Sequence, residues 1–145
     1  MSRIISYRGL IADGGQDTIN LHTNDGKTGY KVVKFQIMFS NPGATNAEHV
    51  VKMYKIEQTT IDGLIDFSDL TLLGAGYIKE RGGDYYGHGI GPIIFDNEVF
   101  NQDIYVTASA ITAGGDCNYY IELEQIDLTE DQALVAIVKN LRNEQ

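Results

Sequence analysis

Tryptophan is absent from this 145-residue sequence, cysteine occurs once, proline twice, and basic residues are outnumbered by acidic ones, 11 to 20. Each shortage excludes something. A lone Cys117 rules out a disulfide framework and any Cys/His zinc spacing. The missing tryptophan removes the strongest sugar-stacking side chain. No apolar run approaches the roughly 20 residues that a bilayer-spanning helix needs. The net charge of −9 opposes contact with phosphate backbones, which is built on Lys and Arg, and with anionic membrane surfaces. It favours solubility and repulsion between free copies. The opening Met1-Ser2-Arg3-Ile4-Ile5-Ser6 has no charged-then-apolar leader pattern, so the sequence predicts a chain that stays where it is made, with neither nucleic acid nor membrane as partner.

What remains is enough for one core. With 43% hydrophobic residues, a chain of this length is expected to form a single domain over 1–145 and to bury about two-thirds of its unfolded surface without metal or disulfide. Glycine, with 16 residues, carries the turns: Asp13-Gly14-Gly15, Asn24-Asp25-Gly26, Asn41-Pro42-Gly43, Asp62-Gly63, Arg81-Gly82-Gly83-Asp84 and Gly114-Gly115-Asp116. Turn signals recurring between extended segments point to an all-β fold.

Alternation locates the strands. From Tyr30 to Ser40, Val33, Phe35, Ile37 and Phe39 form one apolar face. Ile104, Val106, Ala108 and Ala110 form another, and in Tyr119 to Asp127 the residues Ile121 and Leu123 alternate with Tyr120, Glu122 and Glu124. Ile4 to Ala12, Asp17 to Thr23, Glu48 to Gln58, Leu70 to Glu80 and Gly91 to Phe100 are further strand candidates. Glu48 to Gln58 does not sort its apolar residues onto one face. The sum is about eight strands, an antiparallel β-sandwich of jelly-roll type. At Thr129 the period changes. Thr129 and Gln132 make a capping box, Glu130 and Asp131 sit at the positive end of the dipole, and Leu134, Ile137, Val138 and Leu141 follow at helical spacing. An amphipathic helix over about 129–143 is predicted. It is too short to stand alone, so its stripe must be covered by its own sandwich or by a neighbouring subunit.

Reactive constellations are hard to assemble. Glu122 and Glu124 share a strand face about 7 Å apart, a separation open to an inverting glycosidase pair but common on any wet strand. His22, His49 and His88 fall at none of the spacings that build a metal site on one element, nor do they group as the metal-binding histidines of a cupin-type jelly roll do. Cys117 has no basic neighbour in sequence to activate it. Gly87-His88-Gly89-Ile90-Gly91 lacks the strand-to-helix setting and lysine of a phosphate loop. Asp62, Asp66 and Asp69, with Asp13 and Asp17, leave calcium as the one cofactor to consider, although turn aspartates more often serve their own backbone. No catalytic, cofactor or metal residue is assigned, and no enzyme is expected. The aromatic-rich stretch Glu80 to Gly89 is a different matter. Its Arg81, Tyr85, Tyr86 and His88 combine glycine-rich backbone with large amphipathic contact area, suited to a protein interface or a glycan.

The closing stretch, Asn118-Tyr119-Tyr120-Ile121-Glu122-Leu123-Glu124-Gln125-Ile126-Asp127-Leu128-Thr129-Glu130-Asp131-Gln132-Ala133-Leu134 and on through Asn143, resembles small β-rich virion proteins of tailed phages, particularly those of marine bacteria. The likeness lies in a strand feeding a capped terminal helix, compact size, acidity, and Gly/Asn/Tyr-rich turns. It implies a head or tail structural role located in the virion. Capsid decoration (cement) is favoured over a neck or tail accessory role, with the major capsid protein as partner and a homo-oligomer, such as a trimer, as the assembled form. The expected contact residues are Arg81, Tyr85, Tyr86 and His88, Asn41 in the Asn41 to Ala47 loop, and Leu134, Ile137 and Leu141 on the helix, together with exposed strand edges. The rival expectation is a carbohydrate-binding or host-recognition sandwich.

Overall fold

The computed structural model describes residues 3–42, 47–81, 84–86, 91–95, 98–111 and 115–143. Along the chain run β1 (Arg3–Ile11), β2 (Gln16–Ile19), β3 (Thr28–Phe39), β4 (Glu48–Tyr54), β5 (Leu72–Arg81), β6 (Asp84–Tyr86), β7 (Ile93–Ile94), β8 (Ile104–Ile111), β9 (Cys117–Asp127) and α1 (Glu130–Asn143). They form two antiparallel sheets, one ordered β1-β9-β3 and the other β2-β8-β4-β5-β6, with β7 also paired to β5. This is the β-sandwich with one C-terminal helix that the alternation predicts.

Pairings are nested. β4 pairs β5, β2 pairs β8 and β1 pairs β9, while an isolated bridge between Tyr30 and Phe100 brings the segment before β8 beside β3. Successive nested pairs alternate between the sheets, as they do when one long hairpin is rolled up into a jelly roll. The inner faces meet in one cluster, with Tyr119, Ile121 and Leu123 of β9 and Phe35 and Phe39 of β3 against Val51, Met53, Ile104 and Val106. Tyr119 lies across Gly9. A Cβ at residue 9 would stand 2.8 Å from its hydroxyl oxygen, so only glycine leaves the ring room.

Four sequence expectations shift, each for a physical reason. The apolar face of β3 changes register at a bulge between Val32 and Lys34, so that Val32 is 4% exposed and Val33 is 41% exposed instead of sharing a face with Phe35. β4 fails to sort because both of its faces are covered: Val51 and Met53 point into the core, while Val50, Lys52 and Tyr54 are buried on the other side. Among its described residues the Gly91 to Phe100 candidate keeps two residues of strand, Ile93–Ile94, and the bridge at Phe100. The helix begins on its capping box, where Thr129 N–H donates to Gln132 Oε1 at 2.9 Å and Gln132 N–H donates to Thr129 Oγ1 at 3.2 Å. It turns a different face inward. Ala133 and Ala136 are buried and Ile137 is half-buried, whereas Leu134, Val138 and Leu141 stay exposed. The buried Asn101 fixes that orientation, donating through Nδ2 to Gly26 O (2.9 Å) and Ala133 O (3.2 Å). Gly26, at φ 67°, permits the close approach.

Candidate functional site

The histidine, cysteine and carboxylate candidates among the described residues have local structural settings. Asp103 accepts the N–H groups of Leu21 and His22 and contacts His22 Nδ1 at 2.7 Å. Although burial opposes it, these bonds hold the Asp103 carboxyl below the usual range. His49 is buried edge-on to Phe39, and burial pushes its pKa down against the pull of Asp13 and Asp116. Cys117 is fully buried and its thiol is pushed up to about 11 by that burial, the opposite of an activated nucleophile. Glu122 accepts a 2.7 Å hydrogen bond from Tyr120 two residues away, which raises the tyrosine hydroxyl. It stands opposite Lys34, as Glu124 stands opposite Lys31, on the outer face of the smaller sheet.

Three of the aspartates considered for calcium serve their own turns. Asp62 accepts Leu64 N–H at 3.1 Å; Asp66 accepts Ser68 N–H and Oγ at 2.9 and 2.6 Å; Asp69 accepts Thr71 N–H and Oγ1 at 2.9 and 2.7 Å. Asp13 accepts Ala110 N–H, and Asp17 accepts the Tyr119 hydroxyl at 2.8 Å, tying one sheet to the other. Among the described residues no three His, Cys, Asp or Glu side chains group as metal ligands.

The expected contact residues scatter. Arg81, Tyr85 and Tyr86 belong to a β5–β6 hairpin, with Arg81 paired to Asp84 and Glu80 to Tyr85, so the aromatic-rich stretch is partly ladder and not simply a connection. His88 lies outside the described residues, as do residues 43–46 of the Asn41 to Ala47 loop, while Asn41 is exposed. Leu134 and Leu141 are exposed on α1 at 61% and 55%.

No family model matches the chain. No curated protein matches it either. Among solved structures the chain is similar to one titled Desmodium yellow mottle tymovirus, with a TM-score of 0.37 and 12% identity over 88% of this chain and 89% of that one.

Where the chain does concentrate unusual features is the connection from β4 to β5, which the sequence reading passed over except for its aspartates. It folds back over the outer face of the larger sheet. Lys52, buried on β4, donates through Nζ to the Leu64 carbonyl and lies 3.4 Å from Asp62. Lys55 N–H donates to Thr71 O, and its buried ammonium meets Glu98 at 2.6 Å. Gln58 and Gln16 exchange hydrogen bonds between side chain and backbone. On this fixed backbone Leu64, Ile65, Phe67 and Leu70 point outward, 76%, 42%, 52% and 77% exposed. Ile93 of β7 adds to the patch, and Phe95 meets Phe67 edge-on at 5.1 Å.

Large exposed hydrophobics otherwise gather in two places among the described residues: α1, and the smaller sheet with Ile4, Leu10, Val33 and Met38. Full burial of one such side chain is worth about 1.5–3 kcal/mol, yet three aspartate turns and the buried Lys52 hold four of them in water. The available sequence signal was the Asp-x-Ser and Asp-x-Thr turns at 66 and 69, with large apolar residues set between them.

Proposed function

We propose that this chain is a non-catalytic structural protein of a virus particle, most specifically a capsid decoration (cement) protein of a tailed phage that adheres to neighbouring capsid subunits. The observation that carries the reading is the 62–70 loop, whose backbone is fixed by hydrogen bonds and whose large apolar side chains face solvent. Pre-ordering of this kind lowers the entropy cost of association. Two further observations support it. The titratable groups described above are occupied with turns, ladders and burial, and the terminal strand and capped helix resemble those of small phage virion proteins.

The test is co-sedimentation of the purified chain with particles that lack it, taken from the phage whose genome encodes it. The wild-type chain is expected to pellet saturably, and a Leu64→Asp, Leu70→Asp double variant that folds normally is expected to stay in the supernatant. Particles that take up neither form, or both equally, would overturn the reading.

A further inference from the structure

We propose that the chain also binds a second copy of itself head to tail, the 62–70 loop of one copy docking on the outer face of the β1-β9-β3 sheet of the next. This rests on the reading of the loop as a contact surface and names the partner it meets.

The two surfaces belong to different sheets. The loop covers the outer face of the larger sheet. Arg8, Tyr120 and Gln36 occupy one cross-strand row on the outer face of the smaller sheet, and Leu10, Asn118 and Met38 the next. A face that meets an unlike face makes a heterologous contact, which builds a ring or an open stack, not a two-fold dimer.

Their charges are complementary. Between residues 56 and 71 the sequence has Glu57, Asp62, Asp66 and Asp69 and no Lys, Arg or His. Among the described residues only Asp62 of these has a lysine partner, Lys52. The Ser68 hydroxyl and N–H hold the Asp66 carboxyl below its usual range, so it stays ionised at neutral pH. On the receiving face Arg8, Lys31 and Lys34 stand against two carboxylates, Glu122 and Glu124, and Arg8 lies opposite Tyr120, whose hydroxyl donates to Glu122, with Gln36 beyond it. That face carries a positive excess on a chain of net charge −9.

Their shapes are complementary as well. An open groove of about 730 Å³ crosses the receiving face, bounded by Arg8, Gln36, Met38, Asn118, Tyr120 and Pro92. It has an apolar side, at Met38 and Pro92, for the protruding Leu64 or Leu70, and a cation at Arg8 for Asp66. Like-charge repulsion between whole copies opposes the contact, so the docking must rely on this local match, and added salt weakens the Arg8–Asp66 part of it.

Sedimentation velocity across a wide concentration range tests the contact. The wild-type chain is expected to grow from monomer to dimer and larger species. Arg8→Glu and Leu64→Glu, both at exposed positions, are each expected to remain monomeric with an unchanged circular dichroism spectrum. An equimolar mixture of the two variants keeps one intact loop and one intact receiving face, and is expected to recover dimers and nothing larger. Asp66→Asn, which keeps an oxygen for Ser68, is expected to lose most of the salt dependence. A wild-type chain that stays monomeric, or a mixture that does, overturns the proposal. If that monomer still pellets with particles, the structural-protein reading stands without it; if it does not, both fall.

Discussion

The ammonium of Lys52, buried in the middle of β4, donates its hydrogen bond to the main-chain oxygen of Leu64, the residue at the tip of the exposed apolar loop. A single buried charge thus sets the position of a surface feature. Lys52→Met keeps the stem's volume and removes the donor, leaving the Leu64 carbonyl without its charged partner. The expected cost is about 1.5–3 kcal/mol in denaturant unfolding. Limited proteolysis between residues 59 and 66 should accelerate more than global unfolding does, because the loop is released before the sandwich opens.

Tyr119 crosses between the sheets to donate to Asp17 at 2.8 Å, and burial, with that carboxylate, pushes its hydroxyl pKa well above the ordinary tyrosine range. Tyr119→Phe leaves the ring in the core and strands Asp17 without its hydroxyl. A loss of about 1.5–3 kcal/mol is expected, with no change in fold by circular dichroism.

His49 links stability to pH. Its folded-state pKa lies below the unfolded value of 6.5, so the unfolded chain takes up the proton more readily. The stabilisation from keeping this ring neutral is complete above pH 6.5 and is lost as the pH falls from there toward the lower folded pKa. Its Nδ1 is also buried without a hydrogen-bond partner among the described residues. His49→Leu should therefore flatten the acid limb of the stability–pH curve below pH 6.5, measured as unfolding free energy at each pH.

Thr129→Ala removes the oxygen that accepts Gln132 N–H and half of the capping box. A loss of about 0.5–2 kcal/mol is expected, read as lower thermal stability and faster amide exchange in the first turn of α1.

Much of this architecture is legible in the sequence, and the failures are instructive. β9 buries Cys117, Tyr119, Ile121 and Leu123 at every second position, so period two is visible without help from the rest of the chain. β3 misleads because its bulge at Val33 is dictated by pairing with β9, and a bulge leaves no mark on composition. β4 misleads because its second face is covered by a loop, and alternation carries information only when one face is wet. In α1 the cap is local and readable, but the packed face is not. Two alanines and a glycine at 26 allow close approach, and the larger side chains that dominate the periodicity face out. The 62–70 patch was hidden for a related reason. Its apolar residues follow no period, and its aspartates read first as turn residues serving their own backbone, which draws no attention to the side chains between them.

The nested pairing also sets the order in which the molecule can mature. β1 finds its ladder only when β9 exists, with Arg3 opposite Gln125 and Ile11 opposite Cys117. During synthesis the first strand must wait for the last, and closing such distant ends is slow. In that interval Ile4, Ile5, Leu10 and Ile11 are unprotected, and a crowded factory of identical nascent chains offers each β1 the wrong β9. Production yield should respond to expression rate and temperature far more steeply than the stability of the finished sandwich would indicate.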